Sequence, residues 1–279
     1  MPAVRLETKR VEKPWGRMKL WPGFDDVAPG GAPVGEIWFQ TAGGGDPDLL
    51  IKYLFTSEKL SIQVHPDDAQ AQARGYPRGK DEAWVILAAD PTATIAVGTK
   101  AAMTADELRA ASLDGSIEDK MVWHPAKKDD FFYSAAGTVH AIGPGLTLVE
   151  VQQNVDLTYR LYDYGSDREL HLDDGVAVSD PVPYVPPYTP AEIAPGRTML
   201  SDSPKFVLER WSHTGTGTLK SDGRPIWLVP LAGDGTIDGA AFTAGGVWLA
   251  EGDTALTLGA GTDLLVAYTG PGRIEAIWA

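Results

Sequence analysis

The chain has 279 residues, 43% hydrophobic and 22% charged, enough for one large or two medium domains with a substantial core. Its formal net charge of −14 argues against a nucleic-acid surface, and the lack of Cys excludes disulfides and thiolate metal sites. Any metal must therefore be held by nitrogen and oxygen. No apolar run approaches a membrane span and no signal-peptide pattern follows Met1, so a soluble, cytoplasmic protein with no membrane partner is expected.

The 31 Gly and 21 Pro predict short strands and many turns. In chain order, Lys13-Pro14-Trp15-Gly16-Arg17 and Gly35-Glu36-Ile37-Trp38-Phe39 read as strand starts beside turn residues. Leu49-Leu50-Ile51-Lys52-Tyr53-Leu54-Phe55 is a continuous apolar strand whose lone charge is Lys52. That lysine is either buried against a partner or anionic ligand, or it reaches from a strand end to water. Leu60, Ile62 and Val64 alternate with Ser61, Gln63 and His65, the period of a strand with one apolar and one polar face. Pro66 ends the ladder because it has no N–H to donate. The polar row either meets water or is satisfied inside the protein, for instance by a cation.

An alanine-rich helical turn is predicted from Asp67 to Arg74. Lys80-Asp81-Glu82-Ala83-Trp84-Val85-Ile86-Leu87 ends as a strand with Glu82, Trp84 and Ile86 on one face. Thr104-Ala105-Asp106-Glu107 has capping-box spacing, and its helix can close at Gly115, giving a small helical insert over about 101–120. Phe131-Phe132-Tyr133 leads to Gly137-Thr138-Val139-His140-Ala141-Ile142-Gly143, where His140 is either a hydrogen-bonded core residue or a ligand. Leu146 to Tyr162 is rich in β-formers yet unusually polar, with Glu150 and Gln152 on one face and Thr158 and Arg160 on another, as in a lined cavity. The Pro-rich stretch 181–197 reads as a linker between an N-terminal domain, 1–180, and a C-terminal β domain, 198–279. In the latter, strands are expected around Phe206–Trp211, Pro225–Leu231, Gly246–Ala250 and Asp263–Tyr268, with no metal site.

Gln63, His65, Glu82 and His140 form a nitrogen and oxygen ligand set on three separate strands, suited to Zn2+ and acceptable to Fe2+, Mn2+ or Co2+. Lys52, Lys80, Arg160 and Arg168 stand near them in sequence, although each also has carboxylates available to pair with. In an acidic chain, binding an anion requires local cations in a low-dielectric cleft. His124, His171 and His213 lack comparable neighbours and read as surface or structural.

The segments Leu60–Asp68, Gly79–Trp84, Gly137–Gly143 and Glu150–Asp163 resemble, in order and spacing, the type I mannose-6-phosphate isomerases. Pro14-Trp15-Gly16 and Gly35-Glu36-Ile37-Trp38 match upstream, and the length is similar to the short bacterial form. The resemblance implies a mainly β fold of two cupin-like β-barrel or jelly-roll domains, the first holding one Zn2+ through Gln63, His65, Glu82 and His140. It implies a pocket lined by Lys52, Ser61, Lys80, Glu150 and Arg160 and walled by Trp15, with Arg168 a weaker transfer. Ala135 stands where relatives usually carry Pro, and Ala83 where bulkier residues are common. Neither departure touches a ligand.

The activity implied is aldose–ketose isomerisation of mannose 6-phosphate and fructose 6-phosphate through a cis-enediol. Arg160 would stabilise the enediolate, Lys80 assist ring opening or proton shuttling, and Glu150 serve as one candidate base. Lys52 with Ser61 would hold the phosphate. The alternatives are a metal-dependent isomerase of an unphosphorylated aldose and a non-catalytic sugar-phosphate-binding cupin. A monomer or homodimer with no macromolecular partner is expected.

Overall fold

The computed structural model describes residues 2–21 and 23–279. The chain is mainly β, as expected, and its sheets are antiparallel. A six-stranded sheet runs in the spatial order Glu7–Arg17, Val34–Gln40, Leu49–Phe55, Leu146–Gln153, Glu82–Ala89 and Phe131–Ser134. A five-stranded sheet runs Tyr159–Tyr162, Ile62–Val64, His140–Ile142, Thr94–Thr99 and Met121–Pro125.

The period-two alternation decides which face of each strand does what. Ile62 and Val64 pack outward beneath Leu108, Ala111 and Ile117 of the helical insert, which leaves Ser61, Gln63 and His65 facing the other sheet. Ile51, Tyr53 and Phe55 face away from the cleft and pack with Phe206, Leu208, Trp227 and Leu265 of a seven-stranded C-terminal sheet. Lys52 and Leu54 point between the two N-terminal sheets. Burial on both faces explains why Leu49–Phe55 reads as an unbroken apolar run. On the far side of the C-terminal sheet, Leu228, Val266 and Tyr268 pack with Ile237 and Leu256 of a four-stranded sheet.

The insert begins as predicted: Glu107 N–H donates to Thr104 Oγ1 at 3.2 Å, and Thr104 N–H donates to Glu107 Oε2 at 2.8 Å. Gly115 closes that helix with φ 82°, a conformation that would strain any residue with a Cβ. The two halves interleave at their ends. Val4–Arg5 pairs with Leu249 and Trp248, so the chain's start extends the C-terminal sheet. Within the Pro-rich stretch, Ala191–Ala194 forms a strand against Arg197–Asp202. It lies at the sheet edge, the position in which prolines close by are tolerated.

Candidate active site

His140 and Gln63 are direct partners in adjacent strands, so the short Ile62–Val64 and His140–Ile142 strands bring Gln63, His65 and His140 onto one patch. Glu82 opens its strand in the opposite sheet and reaches across the gap. His65, Glu82 and His140 are buried, and their donor atoms lie within 4.8 Å of one another.

Hydrogen bonds on the far ring edges fix the tautomers. His65 Nδ1 is 2.8 Å from Leu157 O, and His140 Nδ1 is 2.9 Å from Thr138 O. A carbonyl can only accept, so each Nδ1 carries the proton and each Nε2 presents a lone pair. Both lone pairs face Glu82 Oε1, at 3.3 Å from His65 and 2.9 Å from His140. Glu82 Oε1, between those two lone pairs, has no donor of its own, while Oε2 lies beside the Lys80 ammonium at 2.9 Å. Two imidazole lone pairs and a carboxylate oxygen meet at one buried point with only the Lys80 ammonium at their edge, a donor set that fits a divalent ion bound by nitrogen and oxygen. Gln63 Nε2 lies 3.3 Å from His140 Nε2, while its Oε1 accepts from Ser61 Oγ at 3.1 Å. Turning the amide over would present its oxygen to the same point.

Burial, with the Lys80 ammonium alongside, pushes His65 down to about 3, which keeps the ring neutral and able to ligate. Burial alone would raise Glu82, but Lys80 and the two imidazoles hold it well below the ordinary carboxylate value. Burial would likewise lower Lys80, yet the carboxylates of Glu82, Glu150 and Glu36 outweigh it and keep the ammonium charged. Lys80 Nζ sits 2.9 Å from Glu82 Oε2 and 3.2 Å from His65 Nε2.

A cleft of about 780 Å3 opens beside this group. One wall is a row across the six-stranded sheet, in which Trp38, Lys52, Glu150 and Trp84 stand opposite one another on successive strands. Lys52 Nζ lies 3.1 Å from Glu150 Oε1, 3.9 Å from Glu36 Oε2 and 4.8 Å from the Trp38 ring centre, so it is buried and paired rather than reaching for water. Glu150 Oε2 accepts from Trp84 Nε1 at 3.0 Å. Trp15 lines the cleft against Gly35, where any Cβ would fall 2.7 Å from the indole Cζ3.

On the opposite wall Arg160 pairs with Gln63 in register and donates to Glu169 O at 3.1 Å. Among the described residues no carboxylate lies within ion-pair distance of it. Arg168 also lines the cleft, but both sides of its guanidinium fork are committed to Asp163, at 2.7 and 2.5 Å. Several lining residues escaped the sequence reading. Glu36 and Trp38 share a strand face, and Trp38 Nε1 donates to Glu36 Oε2 at 2.6 Å; their alternation was the available signal. His171, expected at the surface or in a structural role, lines the cleft and accepts from Arg160 N–H through Nδ1 at 3.2 Å, a contact that no spacing announces.

Facing antiparallel sheets that enclose a polar cleft around two imidazoles and a carboxylate define a class, the β-sandwich enzymes built around a candidate metal site. No family model matches the chain. It is 34% identical over 222 residues to a mannose-6-phosphate isomerase of Streptococcus mutans, covering 74% of this chain and 70% of that protein. A Bacillus subtilis enzyme of the same name is 34% identical over 218 residues, covering 72% and 68%. Among solved structures, a mannose 6-phosphate isomerase from Bacillus subtilis superposes with a TM-score of 0.81 at 26% identity over 96% of this chain and 99% of that one. A phosphomannose isomerase from Salmonella typhimurium shares the fold, with a TM-score of 0.75 at 13% identity over 96% and 100% of the chains. The chain belongs to the mannose-6-phosphate isomerase family.

Proposed function

We propose that the cleft interconverts mannose 6-phosphate and fructose 6-phosphate by moving a proton between C1 and C2 through a cis-enediol. The observation that carries this reading is the convergence of two Nε2 lone pairs and the Glu82 carboxylate beside an arginine that has no carboxylate partner among the described residues. His65, Glu82, His140 and the Gln63 amide oxygen would hold the metal, Zn2+ by its donor set. When bound, it would supply a Lewis acid toward the sugar oxygens.

The chain's own groups divide the remaining work. Removing a C–H proton leaves negative charge on the neighbouring oxygen, and Arg160 offsets that charge with a guanidinium that no carboxylate among the described residues neutralises. Lys80, buried and charged, can donate a proton during ring opening and take one back afterwards. Glu150 is the candidate base; Lys52 and Trp84 Nε1 each occupy one side of one of its oxygens, leaving a second lone pair on each for the substrate proton. The phosphate falls to Lys52 and Ser61. Because Glu150 and Glu36 already share the Lys52 charge, Lys9, 5.3 Å from the Trp38 ring centre and without a carboxylate partner among the described residues, adds the net positive charge that a phosphate requires.

The test is to purify the protein without chelator, measure bound metals, and assay mannose 6-phosphate before and after chelation. Turnover should fall on chelation and return with Zn2+. Equal turnover of unphosphorylated mannose would favour a free-sugar isomerase. Binding of the sugar phosphate without turnover would leave a non-catalytic binder.

A further inference from the structure

We propose that Asp81 is a positioning residue that sets the spacing of Glu82 and His140 by anchoring the turn before His140, an inference that rests on the metal reading above. Asp81 lies between Lys80 and Glu82, whose side chains meet at the His65 imidazole, so alternation sends its own side chain the other way. There it is buried with no cation in ion-pair contact among the described residues. A carboxylate so placed is expensive to keep, and its neighbours show what it holds.

Asp81 Oδ2 accepts from Tyr133 Oη at 2.6 Å, and Oδ1 accepts from Ala136 N–H at 3.0 Å. Ala136 belongs to the turn that orients both imidazole-bearing segments. Gly137 N–H donates to His65 O at 2.8 Å. Thr138 N–H donates to Ala135 O at 3.0 Å, and Thr138 O takes the His140 Nδ1 proton at 2.9 Å. Asp81's own backbone is clamped by Gln153, through Asp81 N–H to Gln153 Oε1 at 3.0 Å and Gln153 N–H to Asp81 O at 3.1 Å. One side chain therefore ties the Glu82 strand to the turn that aims His140 and braces His65. Such outer contacts govern metal affinity as well as the ligands themselves do.

The experiment is a chelator-competition titration of Zn2+ onto metal-stripped protein, with cooperative thermal unfolding as the check on folding. Asp81→Ala should bind Zn2+ ~10–100-fold more weakly than the parent while still unfolding cooperatively. Asp81→Asn keeps an acceptor for Ala136 N–H and should stay near the parent, as should Tyr133→Phe, which leaves the Ala136 bond intact. If Asp81→Ala does not fold, Asp81→Ser, too short to reach Ala136 N–H, takes its place. Unchanged affinity in the Ala or Ser variant overturns the inference, as does an Asn variant as weak as Ala, which would make charge rather than position responsible. A parent protein that takes up no Zn2+ overturns the metal reading, and this inference falls with it.

Discussion

Lys52 and Glu150 stand directly opposite each other on neighbouring strands, 3.1 Å apart, in an almost water-free wall of the cleft. The Trp38 and Trp84 indoles flank them in the same row. An ion pair so confined gives the cleft fixed charges whose positions the sheet register dictates. Replacing Lys52 by Met leaves Glu150 buried without its paired cation and Glu36 with only Lys13, 3.5 Å away, and that should destabilise the fold by ~3–5 kcal/mol. Urea denaturation measures it, and the double variant Lys52→Met/Glu150→Gln should recover part of the loss. A double variant no more stable than the single one would show that the pair is not coupled.

His140→Ala removes one of two imidazoles whose tautomer the backbone has already fixed, so the loss falls on binding rather than on folding. Bound metal per chain should drop sharply in elemental analysis of the purified variant, with near-parental circular dichroism. Full metal content would take His140 out of the ligand set.

Arg160→Ala should retain its metal and lose ~100–1,000-fold in kcat, the range found when a donor to a developing oxyanion is deleted. KM should change little by comparison. Arg160→Lys keeps the charge but not the planar fork, and should recover only part of the rate. Parental turnover in Arg160→Ala would deny the residue any catalytic role.

The sequence made some of this site legible because local periodicity carries side-chain direction. The alternation around Ile62 and Val64 correctly sends Ser61, Gln63 and His65 to one side, and the capping box at Thr104 specifies its own helix start. What stayed hidden depends on register between distant segments. The sequence leaves Lys52 with two readings, and what decides between them is Glu150 opposite it, a pairing across about a hundred residues that no local pattern encodes. Arg168 looks like a pocket cation in sequence, and only the fold of its loop reveals Asp163 occupying its guanidinium. The place of His171 beside Arg160 is hidden for the same reason, since it arises from the chain doubling back before the Leu172–Val178 helix.

His65 also makes stability depend on pH in the metal-free protein. Burial and the neighbouring Lys80 push its folded-state pKa from 6.5 to about 3. Between those values the unfolded chain binds a proton at this ring that the folded chain refuses, so stability is full above 6.5 and lost as pH falls. The slope from one such group approaches ~1.4 kcal/mol per pH unit. Glu82 and Glu36 act lower down. Both are held below the ordinary carboxylate value of 4.5, so their contributions are present above it and lost only as pH falls through their depressed values. Urea midpoints of the stripped protein should therefore already decline over the upper part of that window, before Glu82 or Glu36 titrates. His65→Gln should flatten the decline there and leave the more acidic limb in place. A variant that declines as steeply as the parent would place the responsible proton elsewhere.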